Sequence, residues 1–381
     1  MNDLLDGKLV YDLRDVINKT NIFVADVNEK EKFNLICAVM DRFDDSVMYL
    51  NSHQTLPPSE EEIIMLFHHF CIIRDGIKVV SNILNIINKP TDIFKDYCQD
   101  EPFLIDEVDY KGDDKFFDYL RSLFFAHPFI TDRSIPNPIK GEVQYSPYIL
   151  NNRGGFFSDL KDSIGVMVYS NKRDMFHICI KFNDLKEYIK LKYEKISDII
   201  NAFQAIINNK EKEWSNRKVD RNQDSDSILL DVIDILNERY LEDSDIKELY
   251  DYLTCEISEE SNIEIINKYR ELIIESIPAI CDSIDNMDYD ELYRITSPIL
   301  NPRLKEVYPM MHYQLEKIYC YLNEEGYGDI YWGLKQADLF SKEFAKDFVN
   351  INSGDMSFTE IKLLVTIACY YQAQKEVNKS E

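Results

Sequence analysis

The segment Arg121-Ser122-Leu123-Phe124-Phe125-Ala126-His127 carries an arginine and a histidine, separated by five residues, at the end of an otherwise apolar helical run. A guanidinium can grip a phosphate through paired, charge-assisted hydrogen bonds. A histidine changes protonation near neutrality, so it can take a proton from a ribose 2′-hydroxyl or give one to a leaving oxygen. The two side chains are sufficient in type to cleave RNA without a metal, by attack of the 2′-hydroxyl on the adjacent phosphate. On an unbroken helix, six steps of 100° leave Arg121 and His127 about 120° apart. They converge if the helix ends near His127, as Pro128 encourages, or if a second subunit supplies the partner. Asp118 lies one turn before both Arg121 and Ser122, where it is expected to orient the arginine.

A rim of cations would have to hold the rest of the strand. Arg133 and Lys140 follow the motif in a predicted loop, and Arg153, Lys172 and Arg173 fall in or near the loops of a predicted β-meander. These five are the expected RNA-binding residues. The charge distribution favours this location. The chain has a formal net charge of -26, which excludes a protein that coats nucleic acid through general basicity. Yet residues 115–223 hold 18 basic against 13 acidic side chains and form the one net-basic stretch. A solvated mixed-charge surface is the competing reading of the same residues.

The arginine-to-histidine spacing resembles the motif of the HEPN family, helical-bundle proteins that include many prokaryotic ribonuclease toxins and phage-defence effectors. The resemblance covers the motif and, loosely, the helices of residues 29–127 and 185–214. It implies that Arg121 stabilises the phosphate, that His127 is the general acid or base, and that RNA is cleaved with no metal and no cofactor. It also implies a homodimer in which two copies of the motif face one strand. Ser122 stands where the family commonly has Asn, Asp or His, and the β-meander is an insertion absent from the minimal four-helix form. The block from Phe116 to Pro147 also resembles a segment of uncharacterised bacterial proteins, a likeness that implies no activity.

Other chemistries find less support. His68, Cys71 and Asp75 share a helical face as a metal half-site, but HExxH spacing and a second ligand pair are missing, so a core or interface histidine is expected there. No P-loop, GxGxxG or GxSxG motif occurs. The eight cysteines are scattered without a CxxC pair, the pattern of reduced thiols.

The elements that position these residues are mainly helical. The chain has 381 residues, 45% of them hydrophobic, with 11 Gly and 12 Pro, a composition suited to long helices and sufficient for two or three cores. Spacings of three and four predict helices over 29–51, 60–88, 113–127 and 185–214, with Ser59 as an N-cap of the second. Between about 140 and 182 the period drops to two, which predicts a small antiparallel meander with a turn at Asn171 to Asp174. The polar segment 215–226 reads as a linker, and 227–381 as an acidic all-helical domain punctuated by Pro278, Pro298, Pro302 and Pro309. The expected fold is therefore a helical bundle with a β-meander insertion over 1–214, followed by a second helical domain. The acidic domain offers an alternative function, a non-catalytic scaffold that binds a protein partner. The sequence start lacks the basic and apolar regions of a signal peptide, and no run approaches the ~20 apolar residues of a spanning helix, so a cytoplasmic protein with no membrane partner is expected.

Overall fold

The computed structural model of the protein describes residues 3–25, 30–56, 59–87, 89–98, 103, 110–150, 162–305, 307–323 and 328–378. The chain is mainly helical with one small antiparallel sheet, as the periodicities predict. It divides into two compact units, residues 1–208 and 209–381.

The first unit contains α1 (Lys8–Asn18), α2 (Ile22–Ala25), α3 (Lys30–Ser52), α4 (Glu60–Ile83), α5 (Asp113–Arg121), α6 (Phe182–Glu194) and most of α7 (Ile196–Ser215). Ser59 caps α4 by accepting the Glu62 N–H at 3.2 Å, and Glu60, Glu61 and Glu62 lie at the positive end of the helix dipole. The helix predicted over 60–88 ends five residues early, at Ile83. The run predicted over 185–214 begins at Phe182 and is interrupted at Lys195. Helix α1 escaped the sequence reading, although Val10, Leu13 and Ile17 recur at helical spacing and are buried.

The core of this unit contains a cluster of aromatic rings. Phe67 stacks on Phe124 with ring centroids 4.4 Å apart, and Phe117 stacks on Tyr188 at 5.0 Å. Burying each such ring stabilises the fold by about 1.5–3 kcal/mol. Close packing of α3 on α4 depends on Gly76, where a Cβ would sit 2.5 Å from the Phe43 ring. Strands β1 (Gln144–Leu150), β2 (Ser163–Ser170) and β3 (Phe176–Lys181) pair antiparallel in the order β1-β2-β3. Ile164, Val166 and Val168 of β2 turn inward and are fully buried.

The second unit contains α8 (Ser225–Glu238), α9 (Ser244–Thr254), α10 (Ile263–Asn286), α11 (Tyr289–Leu300), α12 (Met311–Tyr321), α13 (Ile330–Glu343) and α14 (Phe358–Asn378). Helix α14 is its centre: Ile361, Leu363, Leu364, Val365, Ile367 and Ala368 are all buried, and in that stretch Lys362 alone is half-buried. The segment 215–226 is not a loose linker. Val219 joins the core of this unit, and Arg221 pairs with Asp282 at 2.8 Å and Asp285 at 2.6 Å. Nor do Pro278 and Pro298 punctuate helices, since they lie inside α10 and α11. Each proline sits on an exposed face, and the carbonyls deprived of a partner belong to Ile274 and Arg294, also exposed, where water can serve them. Most tyrosines of this unit fill helix contacts, with Tyr252 and Tyr269 fully buried. Among the described residues no helix is long and apolar enough to cross a membrane.

Candidate functional site

Helix α5 starts at Gly112, whose φ of 87° is a conformation that glycine alone adopts without strain. Asp113 then anchors the helix. Its buried carboxylate accepts the N–H groups of Ile93 at 2.9 Å and Phe94 at 2.8 Å, together with the Tyr110 hydroxyl. Phe116, Phe117 and Leu120 turn to the core, which leaves Lys115, Asp118 and Arg121 less buried on the other side.

The end of the helix is irregular. Residues Ser122–Ala126 form a π-helical turn, closed by the His127 N–H donating to the Ser122 carbonyl at 2.9 Å. Such wide turns recur at functional sites because they reposition side chains that a regular helix would carry elsewhere. The helix stops at His127, with φ -143° and ψ 52°. The His127 carbonyl accepts the Thr131 hydroxyl at 2.8 Å and the Ile130 N–H at 3.3 Å, so its backbone is held while its side chain remains exposed.

Asp118, Arg121, Ser122 and His127 line one cavity of about 710 Å³. Its wall also contains Lys111, Lys115 and Arg133, so four cations, these three with Arg121, face Asp118 and Asp132. The volume suits a ligand the size of a nucleotide.

Asp118 does not orient Arg121. It pairs with Arg74, which donates Nη1 to Asp118 Oδ1 at 2.7 Å and both Nε and Nη2 to Asp75 Oδ1 at 2.9 and 2.7 Å. The Arg74 guanidinium lies over the Phe117 ring at 4.9 Å and is 6% exposed. Arg121 has a looser contact, 3.7 Å from Nη1 to Asp75 Oδ2, and its Nε is buried without a hydrogen-bond partner among the described residues. A pair at that distance, with both side chains part exposed, holds the guanidinium weakly. Ser122 is buried, donates to the Asp118 carbonyl at 2.9 Å and accepts from Ser134 at 3.1 Å, which makes it a positioning residue.

The expected rim is only partly assembled. Arg133 is exposed and lines the cavity. Lys140 and Lys172 are exposed but lie outside its wall, and Arg153 falls outside the described residues. Arg173 is a structural cation, donating to Glu142 Oε1 at 2.9 Å and Oε2 at 3.0 Å. Burial pushes the Glu142 carboxyl up, but hydrogen bonds from Gln144, Arg173, the Ile139 N–H and Ser170 hold it below its ordinary value. Lys111 and Lys115 were missed. The spacing of Lys115, Asp118 and Ser122 on one helical face was the available signal.

Two thiols near the site are held protonated by burial. Burial pushes Cys98, on the cavity wall, up to about 12, with Asp113 adding to the effect. Burial likewise raises Cys71 to about 11, against the pull of Arg74 and of Arg121, whose guanidinium lies beside it. The His68, Cys71 and Asp75 half-site does not assemble: His68 is exposed and Asp75 serves the two arginines. His69 meets Ser46 Oγ at 3.1 Å and stacks on Tyr49, and among the described residues no group of three or more His, Cys, Asp or Glu could hold a metal ion. All eight cysteines are free thiols.

Comparison of the chain with protein-family models, curated proteins and solved structures gives no match.

Proposed function

We propose that the protein is a HEPN-like, metal-independent endoribonuclease of a bacterial toxin or phage-defence system. The observation that carries this reading is the shared cavity: Arg121 and His127 line it together with Lys111, Lys115 and Arg133. Arg121, with a loosely held guanidinium, grips the scissile phosphate and stabilises the charge that builds on it. His127 takes the proton of the 2′-hydroxyl as its oxygen attacks phosphorus. The bond from phosphorus to the 5′-oxygen breaks, and that oxygen receives a proton, leaving a 2′,3′-cyclic phosphate and a 5′-hydroxyl. Both side chains come from one chain, so a homodimer would present two complete sites to the strand.

The test is to incubate wild type, Arg121→Ala and His127→Ala with mixed RNA in EDTA. Cleavage by wild type that both variants lose is the expected result, whereas equal cleavage by all three, or none by any, overturns the reading.

A non-catalytic scaffold is favoured by one separate observation. The second unit has a groove of about 650 Å³ between α10 and α14, lined by Lys268, Glu271, Glu275, Asp347, Tyr370 and Tyr371 among others. Tyrosine beside charge suits a protein partner. If this reading holds, wild type is inactive on RNA, and Tyr370→Ala with Tyr371→Ala abolishes capture of a defined partner.

A further inference from the structure

Strand register places an unusual set of side chains on the outward face of the sheet. Tyr145 pairs with Tyr169 and Tyr148 with Met167, while His177 of β3 also pairs with Met167. Since Ile164, Val166 and Val168 face the core, alternation sends Met167 and Tyr169 outward, and Tyr145, Tyr148 and His177 with them. Tyr145 and Tyr148 are three residues apart and would face opposite ways on a regular strand. An irregularity between them restores them to one face. The three tyrosines are 40%, 60% and 43% exposed at 145, 148 and 169. An antiparallel sheet with one wet face ordinarily carries polar residues there. In a chain of net charge -26, none of these outward residues is acidic.

The face adjoins the cavity. Thr131, on the cavity wall, exchanges backbone hydrogen bonds with Gln144 at 2.9 and 2.8 Å, and the Ser146 N–H donates to the Pro128 carbonyl at 2.7 Å. The segment 128–131 therefore runs beside β1. The same antiparallel register sets Ile130, another cavity residue, next to Tyr145. Phe129 is 78% exposed in this segment, and Lys172 lies in the turn that follows Tyr169.

We infer that this outer face is a stacking platform for the bases of single-stranded RNA, continuous with the cavity that holds the backbone; the inference rests on the proposed nuclease reading. Aromatic faces accept any unstacked base, whereas a duplex keeps its bases stacked and out of reach. Cations in the cavity and at Lys172 complement the phosphates on either side. The platform selects single strands by shape, with little sequence preference.

The test uses a labelled 2′-O-methyl RNA 12-mer, which lacks the attacking hydroxyl, with fluorescence anisotropy of the full chain. The single strand is expected to bind more tightly than its duplex. Tyr145→Ala and Tyr169→Ala each weaken binding by about 5- to 100-fold, as loss of one stacked base does, while the Phe variants stay within about twofold. No binding by wild type, equal binding of the duplex, or unchanged binding by both Ala variants at unchanged melting temperature overturns the platform. So does conversion of a dimer to a monomer by Tyr145→Ala, which assigns the face to a second copy, or capture of a protein that competes with RNA for it. Because the probe cannot be cleaved, binding lost with the tyrosines in a chain that never cuts RNA sinks the nuclease and keeps the platform. Cleavage of natural RNA with unchanged binding by the variants does the reverse.

Discussion

Arg239 in the second unit is buried and Arg121 in the first is part exposed, and their donors meet different surroundings. Arg239 is 2% exposed, and its two Nη groups donate to the carbonyls of Ile284 at 2.7 Å and of Trp214 and Arg217 at 3.1 Å each. It ties α8 to the end of α10, to the last turn of α7 and to the segment that follows. Arg121 has a long contact to Asp75, lies beside the Cys71 thiol and faces a cavity with three other cations. Both leave Nε buried without a hydrogen-bond partner among the described residues, so that feature does not separate them. The saturation of the Nη groups does. A guanidinium satisfied by carbonyls acts as a strut, whereas one held loosely beside like charges is poised for an anion.

The contrast extends to whole units. Residues 209–381 carry 19 basic against 36 acidic side chains, and three of their helices begin with an aspartate cap: Asp224, Asp288 and Asp329 accept the N–H groups of Ser227, Glu291 and Trp332. In the first unit Gly112 with its φ of 87°, the π turn and Asp118, which Arg74 binds, meet at one cavity.

The largest expected effects separate the two arginines. Arg121→Ala and His127→Ala lower single-turnover RNA cleavage by about 100-fold or more with an unchanged urea midpoint. Arg239→Met instead destabilises the second unit by about 3 kcal/mol in urea unfolding followed by circular dichroism, since several buried carbonyls lose their donor. A stable Arg239→Met variant would break the comparison. Next comes Arg74→Met, expected to cost about 2 kcal/mol because Asp75 and Asp118 are part exposed and rehydrate. Its cleavage rate also falls, as Asp75 is left to draw Arg121 away from the cavity.

Acid stability sharpens the picture further. Burial, aided by the neighbouring His68, lowers His69 to about 4 against an opposing Asp45. Below pH 6.5 the unfolded chain protonates this histidine while the folded chain keeps it neutral, so stability falls as pH drops from 6.5 to about 4. Glu142 has its carboxyl held low, so its contribution is present above its unfolded value and is lost only at more acid pH. Urea midpoints at several pH values should show the His69 phase first, and His69→Gln removes that phase alone. The smallest effect is that of Ser122→Ala, about 1 kcal/mol, from the loss of one hydroxyl that bonds Asp118 and receives Ser134.

Much of the fold was legible because its signals are local. Three-and-four spacing marked α3 and α4, Ser59 before three glutamates marked a cap, and the shift to period two marked the sheet. The prolines of α10 and α11 misled because a proline is tolerated wherever its orphaned carbonyl faces water, which only the packed helix decides. At the site, the arginine and histidine were visible as types, but their partners were not. Asp118 meets Arg74 across 44 positions and Glu142 meets Arg173 across 31.

The sequence alone determined the helix and strand periods, the acidic balance with its basic middle, and the presence of a guanidinium and an imidazole at one helix end. Tertiary structure decided which arginine is bound and which faces the cavity, that the helix widens into a π turn before His127, and that Tyr145 and Tyr148 share a face. Period and composition are properties of the chain, carried by every few residues. Ion pairing and hydrogen bonding act over about 3 Å through space, so their outcome waits until packing brings distant segments together.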